Sequence, residues 1–295
     1  MEKSLTYGGQ AVLEGVMIRG QRHVSTSVRR PDGSVAYQTR KINLLFLGRL
    51  KRMPLVRGLL VLSESLVLGF RALTFSANVG AEAEGEELSK TSLIIMMLIS
   101  LSFGIGLFFL TPVLASEGIG LLIKSELVSN LIEGLLRLVL LVGYMYLIGK
   151  IGDIRRVFMY HGAEHMTVHA QEHGDPLEIH NIRKYSTAHP RCGTAFLLTV
   201  VLVSIVVFVF IPRHPMWWLI GSRIVLVPVI AAISYEIIRF SGFHSDSLIV
   251  KLLARPNLAL QKLTTRQPDD DQIEIAIHAM KGAIAADNDE TLQAE

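Results

Sequence analysis

The apolar positions of this chain gather into four long runs, separated by polar segments. They cover about 92–115, 127–149, 194–212 and 215–238. Each is near the ~20 residues that a helix needs to cross the hydrocarbon core of a bilayer. The third and fourth are joined by Arg213 and His214 between Pro212 and Pro215, which predicts a tight helical hairpin. A further stretch from Pro54 to about Asn78 is mostly apolar, yet carries Arg57, Glu64 and Arg71 on one stripe. That pattern predicts a helix in the membrane surface rather than across it. The acidic run from Glu82 to Glu87 then reads as a solvated linker.

The period changes near the N-terminus. His23 to Val28 alternates, Pro31-Asp32-Gly33 supplies turn chemistry, and Ser34 to Tyr37 answers it, which predicts a hairpin. Gly8, Gly9, Gly15 and Gly20 around Glu14 predict tight packing or turns. At the other end, apolar residues at helical spacing around Ile273, Ile277 and Met280 predict a short amphipathic helix, and the acidic tail from Ala285 is expected to fray.

The fold class that follows is mainly α: a polytopic α-helical membrane protein with about four transmembrane helices and a small N-terminal β-rich cytoplasmic unit. The expected division is a β-rich unit at 1–53, an interfacial helix and acidic linker at 54–91, and the first two spans at 92–149. A His-rich loop or helix at 150–193, two further spans at 194–238 and a C-terminal region at 239–295 complete it.

Composition sharpens this picture. Half of the 295 residues are hydrophobic and 19% are charged, against about 25% charged in ordinary soluble domains. The polar N-terminal region predicts no signal peptide. With Cys192 as the single cysteine, no intrachain disulfide can form. Lys and Arg number ten in residues 1–54, six in 150–193 and six from Arg239 onward, whereas the two opposite connections hold Lys124 and Arg213. The positive-inside rule then places both termini and the 150–193 segment in the cytoplasm, in a multi-pass protein of the inner (plasma) membrane. A fifth span at 55–78 would move that basic segment outside.

The chemistry concentrates in one place. Tyr160-His161-Gly162-Ala163-Glu164-His165 contains the H-x-x-E-H pattern of inverted zincins. On a helix, His161 and His165 lie one turn apart on one face, and His169 and His173 extend the ladder. Two neutral imidazoles can share one zinc ion, with Glu164 as the base toward a bound water. Two histidines leave zinc short of a third protein ligand. Glu236 is the first choice, because a carboxylate within a membrane helix is costly; His189 and Cys192, at the start of the third span, are the alternatives, with His169 as a further ligand. Arg137 and Arg223 fall near mid-membrane, where structural pairing inside the bundle is the expectation. Glu14 is not singled out by its spacing.

These stretches resemble the YqhQ-like family, bacterial multi-pass membrane proteins of unknown function that are sometimes labelled predicted metal-dependent enzymes. The resemblance is carried by Gly8-Gly-Gln-Ala-Val-Leu-Glu-Gly-Val-Met-Ile-Arg19, Tyr160-His-Gly-Ala-Glu-His165, His189-Pro-Arg-Cys-Gly193, Ser234-Tyr-Glu-Ile-Ile-Arg239 and Leu260-Gln-Lys-Leu-Thr-Thr-Arg266. It implies that Gln10 and Glu14 belong to the family signature, which adds Glu14 to Glu164 as a catalytic candidate. It supplies no reaction.

The resulting expectation is a membrane-embedded zinc hydrolase working at the cytoplasmic interface. Its partners would be the lipid bilayer and a lipid-linked or membrane-protein substrate, with no nucleic acid. The competing class is a non-enzymatic membrane scaffold or regulator with a structural metal or none. A transporter is the weaker alternative.

Overall fold

A computed structural model describes residues 7–43, 53–83, 85, 89–120, 125–244 and 247–293. Residues 84 and 86–88 of the expected acidic linker lie outside the described residues. The fold is mainly α-helical with a small N-terminal sheet.

Four strands form an antiparallel meander in chain order: β1 (Gly8–Val12), β2 (Gly15–Arg19), β3 (His23–Arg29) and β4 (Val35–Lys41). The hairpin predicted around Pro31-Asp32-Gly33 is β3–β4, with Val28 opposite Ala36. Its turn holds Gly33 at φ 85°, and Asp32 accepts hydrogen bonds from the Ser34 amide and hydroxyl. The β1–β2 hairpin turns on Leu13 and Glu14, and Glu14 sits at φ 50°. In β2 every residue from Gly15 to Ile18 is buried. Side chains alternate across a strand. Val16 and Ile18 enter one core, with Tyr160, Met166, Ile273 and Met280. Met17 enters the other, with Val12, Ala72 and Val79. Helices therefore cover both faces of the sheet, and β2 shows none of the apolar–polar alternation of a half-buried strand.

Helix α1 (Val56–Ala83) covers the second face of the sheet. A nearly continuous helical segment follows. It comprises α2 (Lys90–Ile105), a π-helical turn (Gly106–Leu110) and α3 (Thr111–Gly120). Then come α4 (Glu126–Ile148), α5 (Gly152–His173), the short α6 (Ile179–Ile182), α7 (Gly193–Val209), α8 (Met216–Phe243), α9 (Leu248–Thr264) and α10 (Asp270–Gln293).

Among the described residues four helices are long and apolar enough to cross a bilayer: Val56–Glu82, Thr91–Gly120, Glu126–Ile148 and Met216–Gly242. Gly193–Val209 is apolar but shorter. Many of their large apolar side chains face outward, among them Ile99, Phe103, Val139, Val206 and Val225.

Two expectations at the C-terminal end change. The region holds two helices, and α10 runs to Gln293 rather than fraying from Ala285. The reason is Asp287, whose carboxylate accepts the backbone N–H groups of Gln21, Arg22 and His23 and anchors α10 to the β2–β3 turn.

The arginines among the apolar helices are paired. Glu133 meets Arg137 at 3.0 Å, Arg213 at 3.0 Å and Arg223 at 2.9 Å. Arg223 is fully buried and Glu133 is 1% exposed. Asn130 accepts from Arg213 and Arg223, and Arg137 also donates to the Phe108 carbonyl in the π-helical turn.

Candidate metal centre

Three residues separate the end of α4 from the start of α5, and Asp153 lies in the first turn of α5, where the helix dipole favours an acid. It stops at Gly174, left-handed at φ 74°, with His173 in the last turn. One side of α5, including Tyr160, Ala163, Met166 and Ala170, packs into the core beneath the sheet and α10. The other side carries His161, His165 and His169 toward the segment that leads into α7. The ring centroids of His161 and His165 are 4.3 Å apart.

Backbone carbonyls fix the tautomers of the first two rings. His161 Nδ1 lies 2.9 Å from the Thr264 carbonyl oxygen, and His165 Nδ1 lies 2.6 Å from that of Thr187. A carbonyl only accepts, so each neutral ring carries its proton on Nδ1 and keeps a lone pair on Nε2. This is the outer support that metal-binding histidines usually have. His161 Nε2 lies 3.3 Å from Cys192 Sγ. Ligand atoms of His161, His165 and Cys192 all fall within 4.8 Å of one another, and all three side chains are at least partly buried.

Local chain geometry explains the convergence. Cys192 is the N-cap of α7, and its sulfur also accepts the Thr194 N–H. Gln261 is fully buried and clamps the loop from α9, accepting from His189 N and donating to His189 O, both at 2.9 Å. Gly162 lets the chain after α9 lie against α5: a methyl there would collide with the Arg266 carbonyl oxygen. That approach brings the Thr264 carbonyl to His161.

A second group stands one turn further along α5. His169, Glu172 and His189 also have ligand atoms within 4.8 Å. Here the hydrogen bonding differs: both ring nitrogens of His189 are engaged, while His169 keeps a lone pair on Nδ1. His169 Nε2 donates to the Ala188 carbonyl at 3.0 Å. His189 Nδ1 accepts the Arg191 N–H at 3.2 Å, which leaves the ring proton on Nε2, 3.4 Å from Glu172. Glu172 is also paired with the Arg191 guanidinium.

The electrostatics suit neutral imidazoles. Burial lowers the pKa of His165 and His189, and it holds His169 down to about 4. Burial raises the Glu164 carboxyl. Glu164 is 3% exposed, its Oε2 lies 3.5 Å from His165 Nε2, and its side chain lies against Gly9 of β1.

The remaining sequence candidates lie elsewhere. Glu14 forms a two-pronged ion pair with Arg156, both contacts 2.6 Å, and accepts from the Tyr160 hydroxyl at 3.2 Å. The Arg156 bond holds its carboxyl below the usual range. Glu236 belongs to neither ligand group. It accepts from Arg57 Nε at 2.7 Å and from the Leu55 amide at 3.1 Å, tying the start of α1 to α8. Cys192, not the first-choice Glu236, thus stands beside the two histidines. The sequence reading missed Glu172, although it lies three residues after His169 on the same helix. It also missed Gln261 and the Thr264 carbonyl, although both lie in the quoted stretch Leu260 to Arg266.

Residues 53–286 match a family described as "Protein of unknown function (DUF1385)". The chain is also 35% identical over 292 residues to an uncharacterized protein of Bacillus subtilis (strain 168), YqhQ, covering 92% of this chain and 90% of that one. The chain belongs to this family. No solved structure matches it. The family match spans the paired histidines, Cys192 and Gln261, while β1 and Gly9 lie before it.

Proposed function

We propose that the chain is a multi-pass protein of the bacterial plasma membrane that binds one zinc ion at its cytoplasmic surface and catalyses a hydrolysis there. His161, His165 and Cys192 would hold the ion. The observation that carries this reading is the pair of Nδ1–carbonyl bonds, which leaves two imidazole lone pairs beside a thiol. Zinc, when bound, would polarise a water or a substrate carbonyl. Glu164 would take the water's proton and return it to the leaving group; its burial suits a carboxyl that shuttles protons. Gly9 would hold that side chain in place. Glu14, anchored by Arg156, would position Tyr160 and the start of the histidine ladder.

Membrane placement is supported by the outward apolar side chains of α2, α4, α7 and α8 and by the basic segments on one side of them. Cys192 directly precedes the apolar helix α7, which favours a lipid-linked molecule or a membrane-protein segment as substrate. One observation favours a second reading. Cys192 Sγ is close enough to His161 Nε2 to donate its own proton, so the cluster holds together as hydrogen bonds in a non-enzymatic scaffold.

The separating test is Glu164→Gln. Under the enzymatic reading the variant keeps its metal content and thermal stability yet fails to replace the wild-type gene in cells. Complementation by a stable, metal-loaded Glu164→Gln protein would refute hydrolysis.

A further inference from the structure

The long helix α1 presents two unlike sides. Gly58, Gly69, Ala72, Ser76 and Val79 are buried, with Ala72 and Val79 in the sheet core. Glu64, 2% exposed, pairs with Arg19 of β2 at 2.8 Å. The opposite side exposes Leu59 (41%), Leu66 (75%), Phe70 (39%) and Leu73 (45%). At 3.6 residues per turn these fall on one stripe, which Ser63, Thr74 and Ala77 extend without a charge. We propose that α1 lies in the plane of the membrane surface, with this stripe in the acyl–headgroup boundary and the sheet resting on its back. This rests on the membrane placement proposed above.

The alternative, a helix that crosses, meets a physical obstacle. The sheet is fixed to α1 through the core and the Arg19–Glu64 pair. Crossing would carry strands and buried charge into hydrocarbon, where unpaired backbone groups each cost several kcal/mol. An in-plane helix avoids this and needs one apolar stripe with a polar back. Lipid is the occupant that continuity favours. The start of α1 packs on α8, where Gly58 meets Tyr235 and Ala232 and Arg57 pairs with Glu236. Ile237 and Phe240 of the same α8 segment are themselves exposed. The start of α1 is thus joined to an apolar helix of spanning length.

The placement reaches the candidate base through one strand. Gln10 of β1 lies against Gly69 of α1, and the neighbouring Gly9 lies against Glu164. A surface-bound α1 would set the height of Glu164 above the lipid.

The test uses the full chain in phosphatidylcholine vesicles brominated at defined acyl depths, with Trp217 and Trp218 replaced by Phe. Single tryptophans go in as Leu59→Trp, Leu66→Trp and Leu73→Trp, with Met97→Trp in α2 as the deep reference. The proposal expects the three α1 probes to be quenched at one shallow depth. A crossing helix separates residues 59 and 73 by about 21 Å along its axis, so a graded depth would overturn it. Unquenched α1 probes beside a quenched Met97→Trp would also overturn it, because protein and not lipid would then cover the stripe. An unquenched Met97→Trp would remove the membrane placement itself, and this inference with it. A variant that fails to reconstitute is replaced by Phe70→Trp on the same stripe, read against the same outcomes.

Discussion

Two buried polar clusters stand toward opposite ends of α4 and α7, and they treat their hydrogen-bonding capacity in opposite ways. Around Glu133, each guanidinium nitrogen of Arg137, Arg213 and Arg223 finds an oxygen from a carboxylate, Asn130, a serine or the Phe108 carbonyl. That cluster is closed. Around Cys192, the Nδ1 atoms of His161 and His165 are satisfied while their Nε2 atoms converge. That cluster is open toward a cation. Buried polar groups persist when they are paired, so the first cluster is explained by architecture alone. The second, with lone pairs gathered in a protected place, calls for a function.

The largest expected effect comes from opening the closed cluster. Glu133→Leu leaves three buried guanidinium groups around a missing carboxylate. Breaking a buried ion pair from one side costs about 3–5 kcal/mol. Thermal unfolding in mild detergent should show a large loss of stability or of folded yield. Any folded fraction should bind metal as the wild type does, because the clusters share no residue. A wild-type melting curve for Glu133→Leu would contradict the closed-network account.

An effect of intermediate size is expected from pH. His169 is held at about 4 when folded, against an ordinary value near ~6.5, and His165 and His189 shift the same way. Between those values the unfolded chain binds protons that the folded chain refuses. Stability is therefore complete above about 6.5 and falls as the pH drops toward about 4. Melting temperatures of metal-free protein between pH 7.5 and 4.5 should follow that course, and His169→Gln should flatten it. A flat wild-type profile would remove the buried-imidazole account.

The smallest effect is expected at Glu236. Glu236→Gln breaks a partly exposed pair with Arg57, which contributes about 1 kcal/mol or less. Metal content should not change. A loss of metal in this variant would return Glu236 to the ligand set.

That last residue also shows what the sequence could and could not convey. The histidine ladder was readable because helical period alone places His161 and His165 together. The apolar helices were readable from run length, and α4 starts and ends within a residue of the expected span. Glu236 drew attention for the cost of a carboxylate in a membrane helix, but its partner Arg57 is 179 residues away in the chain. Such a partner leaves no local pattern. Cys192 was only an alternative ligand for the same reason: its position depends on Gln261 holding the loop from 72 residues away. Strand β2 escaped because burial on both faces erases alternation, and β1 because Gly8 and Gly9 give it no side chains to alternate. The ordered end of α10 escaped because Asp287 reads as one more acidic tail residue until the β2–β3 turn is seen around it.

The central claim is that two imidazoles and the single thiol share one metal ion. X-ray absorption at the zinc edge, on protein purified in mild detergent without chelator, tests it most directly. The account predicts about one zinc per chain, with one sulfur at about 2.3 Å and two imidazole nitrogens at about 2.0–2.1 Å. It also predicts loss of the sulfur shell in Cys192→Ser. A folded wild-type protein that takes up no zinc when it is supplied, or a bound zinc with no sulfur neighbour, would contradict it.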